Sequence, residues 1–185
     1  YEINVPASYG MSVWTAFMNA GDKFGITPFG TETMHVLRAE KGYIIAGQET
    51  DGTVTPDDVG MAWAVSKKKD FLGRRSLARA DNARPDRKQL VGLLPVDPNE
   101  RLPEGGQITA EKYDVSSAQM PIPMIGHVTS SYHSPTLGCA FALALIKGGR
   151  ARHGEVVYIP LEDKTVAATV TSPVFYDPDG GKLHA

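Results

Sequence analysis

Six short apolar segments fill the second half of the chain and limit what it can fold into. They read "QLVGLLPV", "GQITA", "PMIGHVTSSY", "CAFALALI", "GEVVYIPL" and "KTVAATVTSP", each set off by Gly, Pro or Asp. Segments of this length, rich in β-branched residues and closely spaced, predict a small antiparallel barrel or sandwich. The polar stretch "ADNARPDRK" (Ala80 to Lys88) precedes them and marks the change in character. A domain boundary is expected there, giving residues 1–83 and 84–185.

The first half carries helical signals instead, so the fold class is α+β. Met11, Trp14, Phe17 and Met18 recur at three- and four-residue spacing, with Ser8 as N-cap and Gly21 as stop. A second helix is expected from Thr31 to Lys41, with Met34, Leu37 and Lys41 on one stripe and Gly42 ending it. Thr55-Pro56-Asp57-Asp58 resembles a capped helix start, and "FLGRRSLARADN" a short basic helix with Phe71, Leu72 and Leu77 inward. At the N-terminus, "YEINVP" reads as a strand with Tyr1, Ile3 and Val5 on one face. A strand already under way at the first residue suggests part of a longer polypeptide.

Composition narrows function only by exclusion. With 19 basic and 21 acidic residues the net charge is −2, so no whole-chain field favours nucleic acid or an anionic membrane. The longest apolar run, Cys139 to Ile146, is too short to cross a bilayer. One cysteine excludes an intrachain disulfide and fits a cytoplasmic setting.

The acidic, glycine-punctuated stretch from Leu37 to Trp63 invites a calcium reading. Counted from Asp51, however, such a loop needs glycine sixth and glutamate twelfth, and the chain offers Pro56 and Ala62. Its acids are expected to be solvated or capping. His127, His133, Cys139 and His153 lack zinc-ligand spacing, so no metal site is assigned. No glycine series of the dinucleotide or phosphate-loop kind opens a helix. "SSYHSP" (Ser130 to Pro135) reads as a turn rather than a catalytic dyad.

Three residues leave a functional reading open. Glu2 either points to solvent or stands at a pocket wall, where a carboxylate can accept two parallel N–H bonds from a planar heterocycle. Trp63 is either a core tryptophan or a flat face for ring stacking. Arg38, near a helix C-terminus, reads as a helix-end charge or an internal salt bridge.

The ordered set "YEINVP", "LRAEKGY", "GQETDGTVTPDDVGMAW", "DFLGRRSL", "IGHVTSSYHSPTLGCAFALALI" and "SPVFYDP" resembles the tetrahydrofolate-binding aminomethyltransferase family, typified by the glycine cleavage T-protein. Its matches run in order from residue 1 to about 178. The ending "SPVFYDPDGGKLHA" looks most like the branch formed by alpha subunits of heterotetrameric sarcosine oxidases. The resemblance implies the C-terminal part of a folate-binding domain followed by a small antiparallel β-barrel. It carries pterin binding to Glu2, a place beside the folate to Trp63 and an approach to the ligand to Tyr176.

T-proteins usually have an Arg-Asp pair where this chain has Met34-His35, a departure that favours the oxidase branch. The family's catalytic aspartate is expected before residue 1, so no catalytic residue is assigned here. In that branch the iminium from oxidative demethylation of sarcosine is captured by tetrahydrofolate, giving 5,10-methylenetetrahydrofolate, glycine and hydrogen peroxide. Implied partners are the other oxidase subunits, with FAD, FMN and NAD bound outside this segment. A T-protein-like aminomethyltransferase and a non-catalytic folate-family scaffold are the alternatives.

Overall fold

The computed structural model describes residues 2–183, which divide into two compact bodies, one within Tyr1–Met34 and one within His35–Ala185. In the first, a helix α1 spans Gly10–Gly21 and a 3-10 turn follows at Asp22–Phe24. The helix forms as its periodicity predicts, but no residue of it is buried, and Met11, Trp14 and Phe17 stay exposed. Residues 2–6 form no strand, which corrects the extended-strand reading of "YEINVP". A strand exists by pairing with a neighbour, and every strand pair among the described residues lies in the second body. Tyr1, placed on that strand, lies outside the described residues.

Helix α2 (Thr31–Glu40) contains the division between the bodies. Its expected stripe is reversed: Met34 and Leu37 are exposed, and the buried side is Ala39 and Glu40. Gly42, at φ 69°, ends it. The Gly42 N–H bonds the Ala39 carbonyl at 3.0 Å and the Tyr43 N–H bonds the Arg38 carbonyl at 2.9 Å, a Schellman stop. A Cβ on Gly42 would meet the Pro173 carbonyl oxygen at 2.7 Å, so glycine also admits the C-terminal segment against the helix end.

All six apolar segments become strands: β1 (Lys88–Pro95), β2 (Gln107–Ile108), β3 (Gly126–Ser134), β4 (Cys139–Lys147), β5 (Val156–Pro160) and β6 (Thr165–Thr171). They form one antiparallel sheet in the order β2-β3-β4-β1-β6-β5. Thr109 and Tyr158 exchange backbone hydrogen bonds of 2.8 and 3.0 Å, joining the two edge strands and closing the sheet into a barrel.

β4 explains its own unbroken hydrophobicity. Ala142, Ala144 and Ile146 join the barrel interior with Val91, Leu93, Val128, Val157 and Val170. Phe141, Leu143 and Leu145, on the opposite face, join an outer layer with Ala39, Val59, Leu90 and Tyr132. A strand covered on both faces needs no polar alternation, and small alanines suit the narrow lumen of a six-stranded barrel.

Three further expectations change. "SSYHS" is strand, with the turn falling after it, because Ser130, Ser131 and Ser134 are buried between layers. The helix α3 is only Arg74–Leu77, and Leu72 is fully exposed rather than inward. At Thr55 to Asp58 the cap forms, with the Thr55 N–H bonding the Asp58 carboxylate at 2.7 Å and the Asp58 N–H approaching the Thr55 hydroxyl at 3.4 Å. No helix follows, since Gly60 at φ 75° turns the chain away after one turn.

Candidate functional site

Four segments of the second body meet around a cavity of about 450 Å³. The Schellman stop of α2 delivers Lys41, Tyr43 and Ile44 to one wall. The turn after the Thr55–Asp58 cap delivers Val59, Gly60, Met61 and Trp63 to another. Leu90 of β1 and the Pro173–Val174 segment complete it. The size falls within the range of small-molecule sites, and the lining is mostly apolar.

Trp63 settles the choice posed by the sequence, for it is not a core residue. It sits in a 3-10 turn, Ala62–Ala64, and is 82% exposed at the cavity rim. A large aromatic held open beside an apolar cavity is a surface on which a flat ring can stack. The C-terminal segment is docked by the Phe175 and Tyr176 N–H groups, which donate to the Glu40 carbonyl at 2.8 and 3.0 Å. The Lys41 ammonium reaches the Asp177 carbonyl at 2.5 Å and its carboxylate at 3.4 Å.

The three sequence-derived candidates are placed differently. Trp63 lines the cavity. Tyr176 lies two residues beyond Val174, and its ring and hydroxyl engage Lys182, whose ammonium is 5.0 Å from the ring centre. Glu2 belongs to the first body, is exposed, and accepts a 3.3 Å hydrogen bond from the Asn4 side chain. Among the described residues no carboxylate lines the cavity.

Two buried ion pairs bond to or adjoin residues of the cavity wall, and the sequence named neither as a pair. Arg38 is the hub of the first, which bears out its reading as an internal salt bridge. It donates to the Glu49 carboxylate at 2.9 Å, Gln48 at 2.8 Å, the Ser130 hydroxyl at 2.7 Å and the Tyr43 carbonyl at 3.1 Å. Glu49, wholly buried, also accepts the Ile45 N–H at 2.8 Å and the Ser130 hydroxyl at 2.5 Å. Beside it the buried Glu40 accepts the Ser134 hydroxyl at 2.6 Å.

The second pair joins Asp58 to Arg87. Its guanidinium bonds both carboxylate oxygens, with Nε at 2.9 and 3.0 Å and Nη2 at 2.6 Å. Burial alone would push the Asp58 carboxyl up. The hydrogen bonds from Arg87 and Thr55, with the charge of Arg87, outweigh it and hold the group below the usual carboxylate range. The same carboxylate raises the Arg87 guanidinium.

Glu40, Glu49 and Asp58 therefore correct the expectation that this stretch's acids are solvated or capping alone. Asp51 keeps to it, accepting the Thr53 N–H at 2.7 Å in an exposed turn. A signal for the first pair was present in "VTSSYHS", where the buried Ser130 requires polar partners and finds Arg38 and Glu49.

A separate groove of about 500 Å³ lies between Lys112–Ser116 and Leu161–Thr165. It is lined by Lys112, Asp114, Glu162, Asp163 and Lys164 and holds none of the candidate residues. Among the described residues no cluster of His, Cys, Asp or Glu could hold a metal ion. No helix of the described residues is long and apolar enough to cross a membrane.

Comparison with known proteins places this architecture. Residues 1–69 match the GCVT N-terminal domain, and residues 88–177 match the glycine cleavage T-protein C-terminal barrel domain. The sarcosine oxidase subunit alpha of Corynebacterium sp. (strain U-96) is 54% identical over 182 residues, covering 98% of this chain and 19% of the relative. That of Rhizobium meliloti (strain 1021) is 42% identical over 187 residues, covering 100% and 18%. The aminomethyltransferase of Bacillus subtilis (strain 168) is 33% identical over 178 residues, covering 95% and 46%.

The chain thus spans about a fifth of the oxidase subunits and less than half of the aminomethyltransferase. The fold is shared with glycine cleavage system aminomethyltransferase T from Bartonella henselae, with a TM-score of 0.73 at 24% identity, covering 94% of this chain and 45% of that one. Two consecutive domain matches, in the order and over the elements described above, establish that the chain belongs to the glycine cleavage T-protein (aminomethyltransferase) family.

Proposed function

We propose that this chain is part of a sarcosine oxidase alpha subunit and handles tetrahydrofolate, which accepts the one-carbon unit released by oxidative demethylation of sarcosine. The products are 5,10-methylenetetrahydrofolate, glycine and hydrogen peroxide. The observation that carries the reading is the apolar cavity with Trp63 held open at its rim. Its volume and its Ile44, Val59, Met61, Leu90 and Val174 lining suit a flat heterocycle that stacks on an indole. The 54% identity to an oxidase alpha subunit, against 33% to an aminomethyltransferase, supports the oxidase branch.

In this reading the folate supplies the acceptor nitrogen, and the chain's own residues position it. Trp63 packs against the flat ring at the cavity rim, and the family resemblance assigns pterin binding to Glu2 and an approach to the ligand to Tyr176. Ordering the acceptor beside a reactive iminium replaces a bimolecular encounter and keeps the iminium from water. The roles of Glu2 and Trp63 fall to residues 1–83, while the barrel half, residues 84–185, carries Tyr176 and contributes Leu90, Pro173 and Val174 to the cavity wall. Other oxidase subunits, with FAD, FMN and NAD held outside this segment, complete the assembly in the cytoplasm.

Fluorescence titration of the full-length protein with tetrahydrofolate tests the assignment. Trp63→Ala and Glu2→Ala are each expected to weaken binding at least tenfold. Wild-type affinity in Glu2→Ala removes that carboxylate from the site, and wild-type affinity in both removes the site.

A further inference from the structure

We infer that the two buried ion pairs, Arg38–Glu49 and Asp58–Arg87, are positioning devices for the cavity, each fixing one wall to the barrel. The inference rests on the folate reading of that cavity and deepens it by assigning residues that never touch the ligand.

The first pair holds the wall that contains Tyr43 and Ile44. Arg38 grips the Tyr43 carbonyl at 3.1 Å, and Glu49 grips the Ile45 N–H at 2.8 Å, one backbone group on each side of Ile44. The same two side chains meet on β3, where the Ser130 hydroxyl lies 2.7 Å from Arg38 and 2.5 Å from Glu49. The Arg38 guanidinium also stands 5.8 Å from the Tyr132 ring centre. Wall and strand therefore share one charged knot.

The second pair holds the wall that contains Val59, Met61 and Trp63. Asp58 precedes it directly, and its carboxylate is fixed by Arg87 and by the Thr55 N–H and hydroxyl at 2.7 and 2.8 Å. Its backbone carbonyl accepts the Leu90 N–H at 2.7 Å, so the turn is tied to β1 at the residue that lines the cavity. Arg87 adds a 2.5 Å bond to the Thr53 carbonyl. Arginine is suited to both places because its planar fork engages several acceptors at once, which an ammonium cannot reproduce.

Arg38→Lys and Arg87→Lys keep the charge and lose the fork, so they loosen a wall without leaving a bare buried carboxylate. Hydrogen–deuterium exchange and equilibrium dialysis with tetrahydrofolate are measured on each full-length variant. The expected result is separable. Arg38→Lys speeds exchange in residues 43–49 only, Arg87→Lys in residues 55–63 only, and each raises the folate Kd about tenfold. Val157→Ala, a barrel-interior change, serves as the stability control, lowering the melting temperature while leaving Kd within twofold.

If Trp63→Ala weakens binding but both arginine variants bind as wild type, the positioning inference is wrong and the folate reading stands. If Trp63→Ala also binds as wild type, the cavity reading fails and the inference with it. A Kd that rises in Val157→Ala as much as in the arginine variants overturns the inference by making the effect one of global stability.

Discussion

Helix α1 and strand β4 are both strongly apolar, and they end in opposite situations. In α1 no side chain is buried. In β4 seven consecutive residues, Ala140 to Ile146, are buried. Periodicity in the sequence determines which element forms, whereas the number of faces that become covered depends on what the surrounding chain can supply. The barrel body supplies two layers to β4, one inside the lumen and one under α2 and the 43–63 loop. Among the described residues, no such layers cover α1.

The largest expected effect lies where both faces are covered. Phe141 is fully buried and meets Phe175 edge-on at 4.8 Å. Phe141→Ala should cost about 3–5 kcal/mol in urea unfolding of the second body. A loss below about 1 kcal/mol would mean that the outer layer is not a packed core.

An intermediate effect is expected from acid titration of Asp58. Its folded pKa is depressed, so its contribution is present above the unfolded carboxylate value of about 3.9 and is lost as pH falls through the lower folded value. Unfolding curves for wild type and Asp58→Asn should therefore lie apart at pH 6 and converge below about pH 4. A constant gap across that window would show that the carboxylate is not held by Arg87. The smallest effect belongs to α1: Met11→Ala, at a residue 74% exposed, should move stability by less than about 0.5 kcal/mol.

The same contrast explains what could be read from the sequence. All six strands were legible, because short apolar runs between turn residues leave few other folds. The end of α2 was legible too, since Gly42 is the residue a left-handed stop requires. Which face of α2 is buried was not, because Ala39 is only weakly apolar and Glu40 is charged, its carboxylate held by Ser134 of β3 and its carbonyl by the C-terminal segment. Trp63 was legible as a candidate but not its exposure. Arg38 was legible as a helix-end charge or an internal salt bridge, but its partner Glu49 was not, and neither was the Asp58–Arg87 pair. Both pairs depend on residues 11 and 29 positions apart finding each other across the fold.

The central claim, that the Trp63 cavity presents the one-carbon acceptor, is most directly tested by following the carbon itself. The full-length protein, assembled with its partner subunits, is given sarcosine labelled with ¹³C in the methyl group, oxygen and tetrahydrofolate. The label is then partitioned by NMR between 5,10-methylenetetrahydrofolate formed on the enzyme and free formaldehyde. A formaldehyde trap removes carbon that has escaped. The account predicts label in the folate product for wild type and a shift to trapped formaldehyde in Trp63→Ala, with hydrogen peroxide release unchanged. An unchanged partition in Trp63→Ala would contradict it.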